Sequence, residues 1–128
     1  MTARVDGVPF EAVNGAQISK IDDTIYLILG GYGTNATERI QITLYLPTPN
    51  ITGTFTVSNK EVTFSYFPDI NANNEVYVAG DGIASGTVTI TERTNDYTKG
   101  TFSCTPVLFG DTVTVNITQG EFKAINRF

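Results

Sequence analysis

Apolar residues alternate with threonine along nearly all of this chain. Ile40, Ile42, Leu44 and Leu46 fall on one side of a strand, with Gln41, Thr43 and Tyr45 on the other. The same period of two runs through Phe55 and Val57, through Val62, Phe64 and Tyr66, and through Val88 and Ile90. It returns in Phe102 and Cys104, and in Val113, Val115 and Ile117. Thr54, Thr56, Thr87, Thr89, Thr91, Thr101, Thr105, Thr112 and Thr114 take the opposite positions. Such spacing puts one face of each strand in a core and the other in water, as in antiparallel sheets. Composition agrees, with 20 Thr, 12 Ile and 11 Val against 5 Leu, because side chains stiff at χ1 suit a pleated surface better than a helix. The segment from Thr24 to Leu29 is apolar at nearly every position and reads as a central strand covered on both faces. No window carries the 3.6-residue spacing of a helix longer than one turn.

Between these runs stand the residues of tight reversals. Asp6-Gly7 and Asn14-Gly15 suit two-residue primed turns, and Asp22-Asp23, Asn59-Lys60, Asp81-Gly82, Asn95-Asp96, Gly110-Asp111 and Gln119-Gly120 mark further ones. The spacing predicts an all-β chain of about ten strands with essentially no helix. The expected form is one domain over residues 1–128, a meander-rich antiparallel β-sandwich or flattened β-barrel. Its expected core holds Val5, Phe10, Leu27, Ile42, Leu44, Phe55, Phe64, Val88, Ile90, Phe102, Val113 and Val115. Gly53-Thr54-Phe55, Gly86-Thr87-Val88 and Gly100-Thr101-Phe102 share a short pattern, as strands entering from glycine turns would.

Several chemistries are excluded by what the chain lacks. It has no histidine, so no Ser-His or Cys-His nucleophile, no histidine-bearing zinc site and no imidazole acid–base group. One cysteine, Cys104, permits no internal disulfide and reads as a small buried hydrophobe. No phosphate-binding loop is present, and the glycines of 30–33 and 80–86 precede no helix that would hold an anion. A net charge of −5 argues against nucleic acid as a partner. No run reaches the roughly 18 apolar residues of a membrane-spanning helix. No charged and apolar leader opens the chain, so an export signal is either lacking or was trimmed. The expectation is a protein that is not an enzyme and carries no cofactor.

Two candidate sites follow from the residues present. Exposed tyrosines offer apolar area and a polar tip to a sugar ring, which singles out Tyr26, Tyr32, Tyr45, Tyr77 and Tyr97. Tyr26, Tyr45 and Tyr77 fall on strand faces opposite their apolar neighbours, and the other two lie at or near loops. In the second candidate, Asp69, Asn71, Asn73 and Glu75 put oxygen atoms at alternate positions, as at the start of a weak calcium loop. An Asn-rich hairpin connection explains the same residues. Glu38, Glu61, Asp69, Glu75 and Glu92 supply carboxylates for glycoside hydrolysis, with nothing in the sequence to pair any two of them.

The segments Met1 to Ala12, Ile51 to Phe55, Gly86 to Thr91, Lys99 to Ser103 and Val115 to Phe122 carry a resemblance across nearly the whole chain. It resembles a family of small bacterial domains of unknown function, common in secreted proteins and lipoproteins of the Bacteroidota. The resemblance implies an all-β domain held outside the cytoplasm, in the periplasm or at the cell surface, without catalytic residues. A lipid anchor would come through a segment absent from this chain, which has no lipobox cysteine. The function expected is binding or display, with a glycan or another envelope protein as partner. A carbohydrate- or lipid-binding module is the alternative, and a small carboxylate-based glycoside hydrolase a second.

Overall fold

The computed structural model describes residues 1–12, 15–32, 37–46, 52–72 and 75–127, with 29–32 described by their backbone alone. Among them are twelve strands and no helix: β1 (Thr2–Val5), β2 (Val8–Glu11), β3 (Ala16–Asp22), β4 (Ile25–Tyr32), β5 (Arg39–Tyr45), β6 (Gly53–Thr56), β7 (Val62–Phe67), β8 (Tyr77–Ala79), β9 (Ser85–Arg93), β10 (Tyr97–Thr105), β11 (Val107–Leu108) and β12 (Ile117–Arg127). They make one sheet in the order β11-β8-β7-β5-β4-β3-β12-β10-β9-β6, and β1 joins it at β12 with β2 outside β1. The sheet is curled into a half-barrel. The expected count was lower because β8 and β11 are too short to show a period of their own.

β12 is the junction. One edge pairs antiparallel with β10. The other edge pairs antiparallel with β1 over its first half, Thr2 opposite Glu121 and Val5 opposite Ile117. Its second half pairs with β3, Ala124 opposite Ala16 and Arg127 opposite Ser19, and this ladder is parallel. The sheet is therefore mixed, which corrects the purely antiparallel reading. A period of two is common to both kinds of strand when one face is wet, and the crossover joining these two is the whole chain between them.

The concave side of the sheet is the core. Phe10, Ile18, Ile28, Ile40, Ile42, Leu44, Val57, Val62, Val88 and Ile117 are buried there with the aromatic rings of Phe64, Phe102 and Phe122. Phe64 of β7 lies 6.3 Å from Phe102 of β10, and Phe102 lies 6.2 Å from Phe122, so rings from the two flanks of the sheet meet. Two glycines make room for this. A Cβ on Gly120 would sit 2.6 Å from Cγ of Phe102, and one on Gly100 would sit 2.7 Å from Cζ of Phe122. Gly100 faces Phe122 and Gly120 faces Phe102 across the same ladder, so each ring covers the other strand's glycine.

Three expectations about the core change. Tyr26 is fully buried beside Ile28, while Ile25 and Leu27 are only half-buried. The all-apolar run of β4 gave no parity by which to choose its inner face. Val113 is 49% exposed, because the segment before β12 is a loop rather than a strand, and Val115 packs on the core from its margin.

A polar trough on the outer face and the candidate functional site

Outward positions from six strands fall into register on the wet side of the sheet. Thr54 of β6 is opposite Thr89 of β9, Thr89 opposite Thr101 of β10, and Thr101 opposite Glu121 of β12. Glu121 is opposite Thr2 of β1, and Thr2 opposite Glu11 of β2. A second row beside it holds Thr56, Thr87 and Ser103, then Thr118, Arg4 and Pro9. The first row crosses five strand spacings, about 24 Å. It carries hydroxyls and carboxylates only.

Bulges flank this row on both sides. Thr118 and Gln119 are both exposed between buried Ile117 and Gly120, where the pairing of β12 with β1 and β10 shifts. Gln119 takes a φ of 52° there, in the left-handed region that costs a non-glycine residue energy. Thr91 and Glu92 are likewise both exposed where the ladder of β9 and β10 shifts between Lys99 and Gly100. A bulge bends its strand and re-aims a side chain, and bulges gather next to working sites. Together with the β1–β2 flap these features hollow the face. A trough of about 680 Å³ is lined by Thr2, Arg4, Glu11, Thr87, Thr89, Thr101, Ser103, Gln119 and Glu121, among others. A second hollow of about 370 Å³ adjoins it, sharing Thr2, Thr101 and Glu121 and adding Thr91, Lys99 and Lys123.

The electrostatics of the trough are uneven. At one end Arg4 donates from Nη1 to the carbonyl of Gly7 at 3.0 Å, which holds its side chain along the flap. At the other end Lys99 and Lys123 stand opposite each other on β10 and β12. Nζ of Lys123 lies 4.4 Å from the ring centroid of Tyr97, whose hydroxyl donates to Oε1 of Glu92 at 3.0 Å. That bond to the carboxylate is the chief reason the Tyr97 phenol is shifted above its usual range. Thr54 and Thr89 hydroxyls share a hydrogen bond of 3.0 Å and brace the far wall.

The tyrosines do not form one platform. Tyr26 is sealed in the core, which removes it from any sugar-facing surface. Tyr45 is 40% exposed beside Ile25, and Tyr77 is half-buried with its ring 6.0 Å from that of Tyr66. The side chain of Tyr32 lies outside the described residues. Tyr97 lines neither hollow and meets the second through Lys123, whose ammonium lies over its ring. Tyr66 is buried and donates to Oε2 of Glu38 at 2.5 Å; burial first, and the carboxylate second, push its phenol far up. Asp69 accepts from the backbone N–H of Asn71 at 2.9 Å, and its carbonyl accepts from Ala72 at 3.0 Å. That is a side-chain-capped turn. Asn71 and Glu75 are exposed and Asn73 lies outside the described residues. No group of three or more carboxylate or thiol side chains able to hold a metal occurs among the described residues. Cys104 is buried, and loss of hydration pushes its thiol up to about 12, so the reactive thiolate is suppressed.

Sequence reading did not find Thr2, Arg4, Glu11, Gln119, Glu121, Lys99 and Lys123. The available signal was the break in alternation at Thr91-Glu92 and at Thr118-Gln119, where two polar residues in succession mark a bulge. Among the described residues no helix is long and apolar enough to cross a membrane. No curated protein and no solved structure matches the chain. A family model does match, over residues 1–126, and so takes in every strand that builds the trough. The chain belongs to the family described as Domain of unknown function (DUF6252).

Proposed function

We propose that this chain is a non-catalytic binding domain that works outside the cytoplasm, and that the trough is the face presented to its ligand. The single observation that carries this reading is the in-register row Thr54–Thr89–Thr101–Glu121–Thr2–Glu11. The row offers donors and acceptors at the strand spacing, about 4.8 Å, close to the rise of one sugar in an extended polysaccharide. A glycan lying across the strands would meet one polar side chain per sugar. Placement in the periplasm or at the cell surface, with a lipid anchor supplied by another segment, is supported by the resemblance described above.

The test is a titration of the labelled protein with neutral and acidic oligosaccharides, following amide shifts, on the parent and on Thr101→Arg. The expected result is shifts confined to β1, β9, β10 and β12 that are abolished by Thr101→Arg. Shifts elsewhere, or none with any glycan, overturn the reading.

A hydrolase is the second reading, because Glu11 and Glu121 flank Thr2 from both sides. Their backbones are about 10 Å apart by strand spacing, within reach of a carboxylate pair. Both side chains are exposed, whereas the general acid of such a pair is held protonated by burial. Release of reducing ends that is lost in both Glu11→Gln and Glu121→Gln would establish the hydrolase in place of the binding domain.

A further inference from the structure

Resting on the reading of the trough as a glycan face, we propose that its ligand is an uncharged β-1,4-linked polysaccharide, laid across the strands with Glu121 and Glu11 binding alternate sugars. Five residues of the in-register row, Thr89, Thr101, Glu121, Thr2 and Glu11, line the trough. They span four strand spacings, about 19 Å. A chain whose sugars advance in a nearly straight line stays beside such a row, whereas an α-1,4-linked chain of the same sugar winds away from it. The pattern within the row narrows the linkage further. Glu121 and Glu11 stand on either side of Thr2, two strand spacings or about 10 Å apart. In an extended β-1,4-linked chain each sugar is turned over relative to the one before, so the same edge of hydroxyls returns at every second sugar. Carboxylates at alternate positions of the row therefore meet the same edge twice, and Thr2 meets the inverted sugar between them. A carboxylate accepts from two neighbouring hydroxyls in bonds stronger than those between neutral groups. Charge decides between neutral and acidic chains. The side-chain charges about the two hollows cancel: Arg4, Lys99 and Lys123 stand against Glu11, Glu121 and Glu92, the last directly opposite Lys99. A sugar acid gains no net attraction there, and a domain of net charge −5 repels it. Neutral sugars meet no such penalty.

The experiment compares four probes by calorimetry: cellohexaose, maltohexaose, β-1,4-linked mannohexaose and its acid counterpart, hexamannuronate. The parent protein, Glu11→Gln and Glu121→Gln are titrated with each. Cellohexaose or mannohexaose is expected to bind the parent about tenfold more tightly than either maltohexaose or hexamannuronate. Each variant is expected to lose about tenfold in affinity for that neutral β-linked chain, because an amide replaces a charged acceptor with a neutral one. Both variants are expected to melt with the parent, since both side chains are exposed, so lost binding is not lost folding. Equal binding of cellohexaose and maltohexaose overturns the linkage, and hexamannuronate binding as tightly as mannohexaose overturns the uncharged ligand. Affinity unchanged in both variants overturns the part given to the two carboxylates. Each of these outcomes leaves the glycan reading standing. Failure of all four probes overturns the proposal alone if other oligosaccharides still shift the amides of the trough, and overturns both readings if none does.

Discussion

Gly120 has no room for a side chain. An added Cβ would meet the Phe102 ring and carbonyl, each at 2.6 Å. The ring cannot withdraw, since Phe64 and Phe122 hold it on both sides. Gly120→Ala is therefore expected to lose about 1–3 kcal/mol of stability by urea unfolding, while Thr101→Val, on the open face, shifts it by about 0.5 kcal/mol or less. Cys104 governs alkaline behaviour at the same scale. Its thiol titrates at about 12 when folded against 9.0 in the unfolded chain, because burial removes its hydration. Above pH 9 the unfolded state releases a proton that the folded state keeps, so folding weakens as pH rises. That stability is complete below pH 9 and gone once pH passes about 12. Urea titrations between pH 8 and 10 should show a fall approaching about 1.4 kcal/mol per pH unit, and Cys104→Ala should remove most of it, leaving the smaller fall that the buried Tyr66 phenol contributes. A parent protein equally stable at pH 8 and pH 10 would contradict the assignment.

The bulge in β12 belongs to the next scale. Gln119 holds a backbone conformation that glycine adopts freely, while its side chain lines the trough. Gln119→Gly should raise stability by about 0.5–1 kcal/mol and weaken oligosaccharide binding. Calorimetric melting with the titration above checks both, and a variant that loses stability would mean that the bulge is held by side-chain packing instead. The turn of Asp69 to Ala72 makes the opposite case. Its carboxylate already caps the backbone, so several millimolar calcium should leave the melting curve unmoved, and a shift absent from Asp69→Asn would establish a calcium site there. How far these elements were legible depended on parity. Ile40 to Leu46 alternates cleanly, and Ile40, Ile42, Leu44 and Leu46 are all buried. Thr24 to Leu29 is apolar at nearly every position, so no parity within it marks Tyr26 as an inward residue. The tyrosines were visible as residue types, whereas the trough is a property of register. Thr2 meets Glu121 through a ladder joining the two ends of the chain, and no local window contains that pairing.

For the whole molecule, the earliest and latest strands depend on each other. Asp6 donates its N–H to the Asn116 carbonyl at 2.7 Å and accepts the Asn116 N–H at 2.7 Å. β3 has β12 along one edge for its parallel ladder. Contacts this distant in sequence make folding slow, because loop closure precedes any gain from pairing. Stopped-flow refolding should accordingly relax in milliseconds to seconds, and a microsecond phase of full amplitude would contradict the topology. Timing is the consequence of the β12 junction. While a ribosome is still making Ile117 to Arg127, β1, β3 and β10 each lack a neighbour, and the rings of Phe64 and Phe102 are without Phe122. The half-made chain is then an open-edged sheet that any strand of suitable pattern can complete, including the β12 of a second copy. What protects such a chain is speed of completion, or a chaperone that occupies the vacant edge until the last strand arrives.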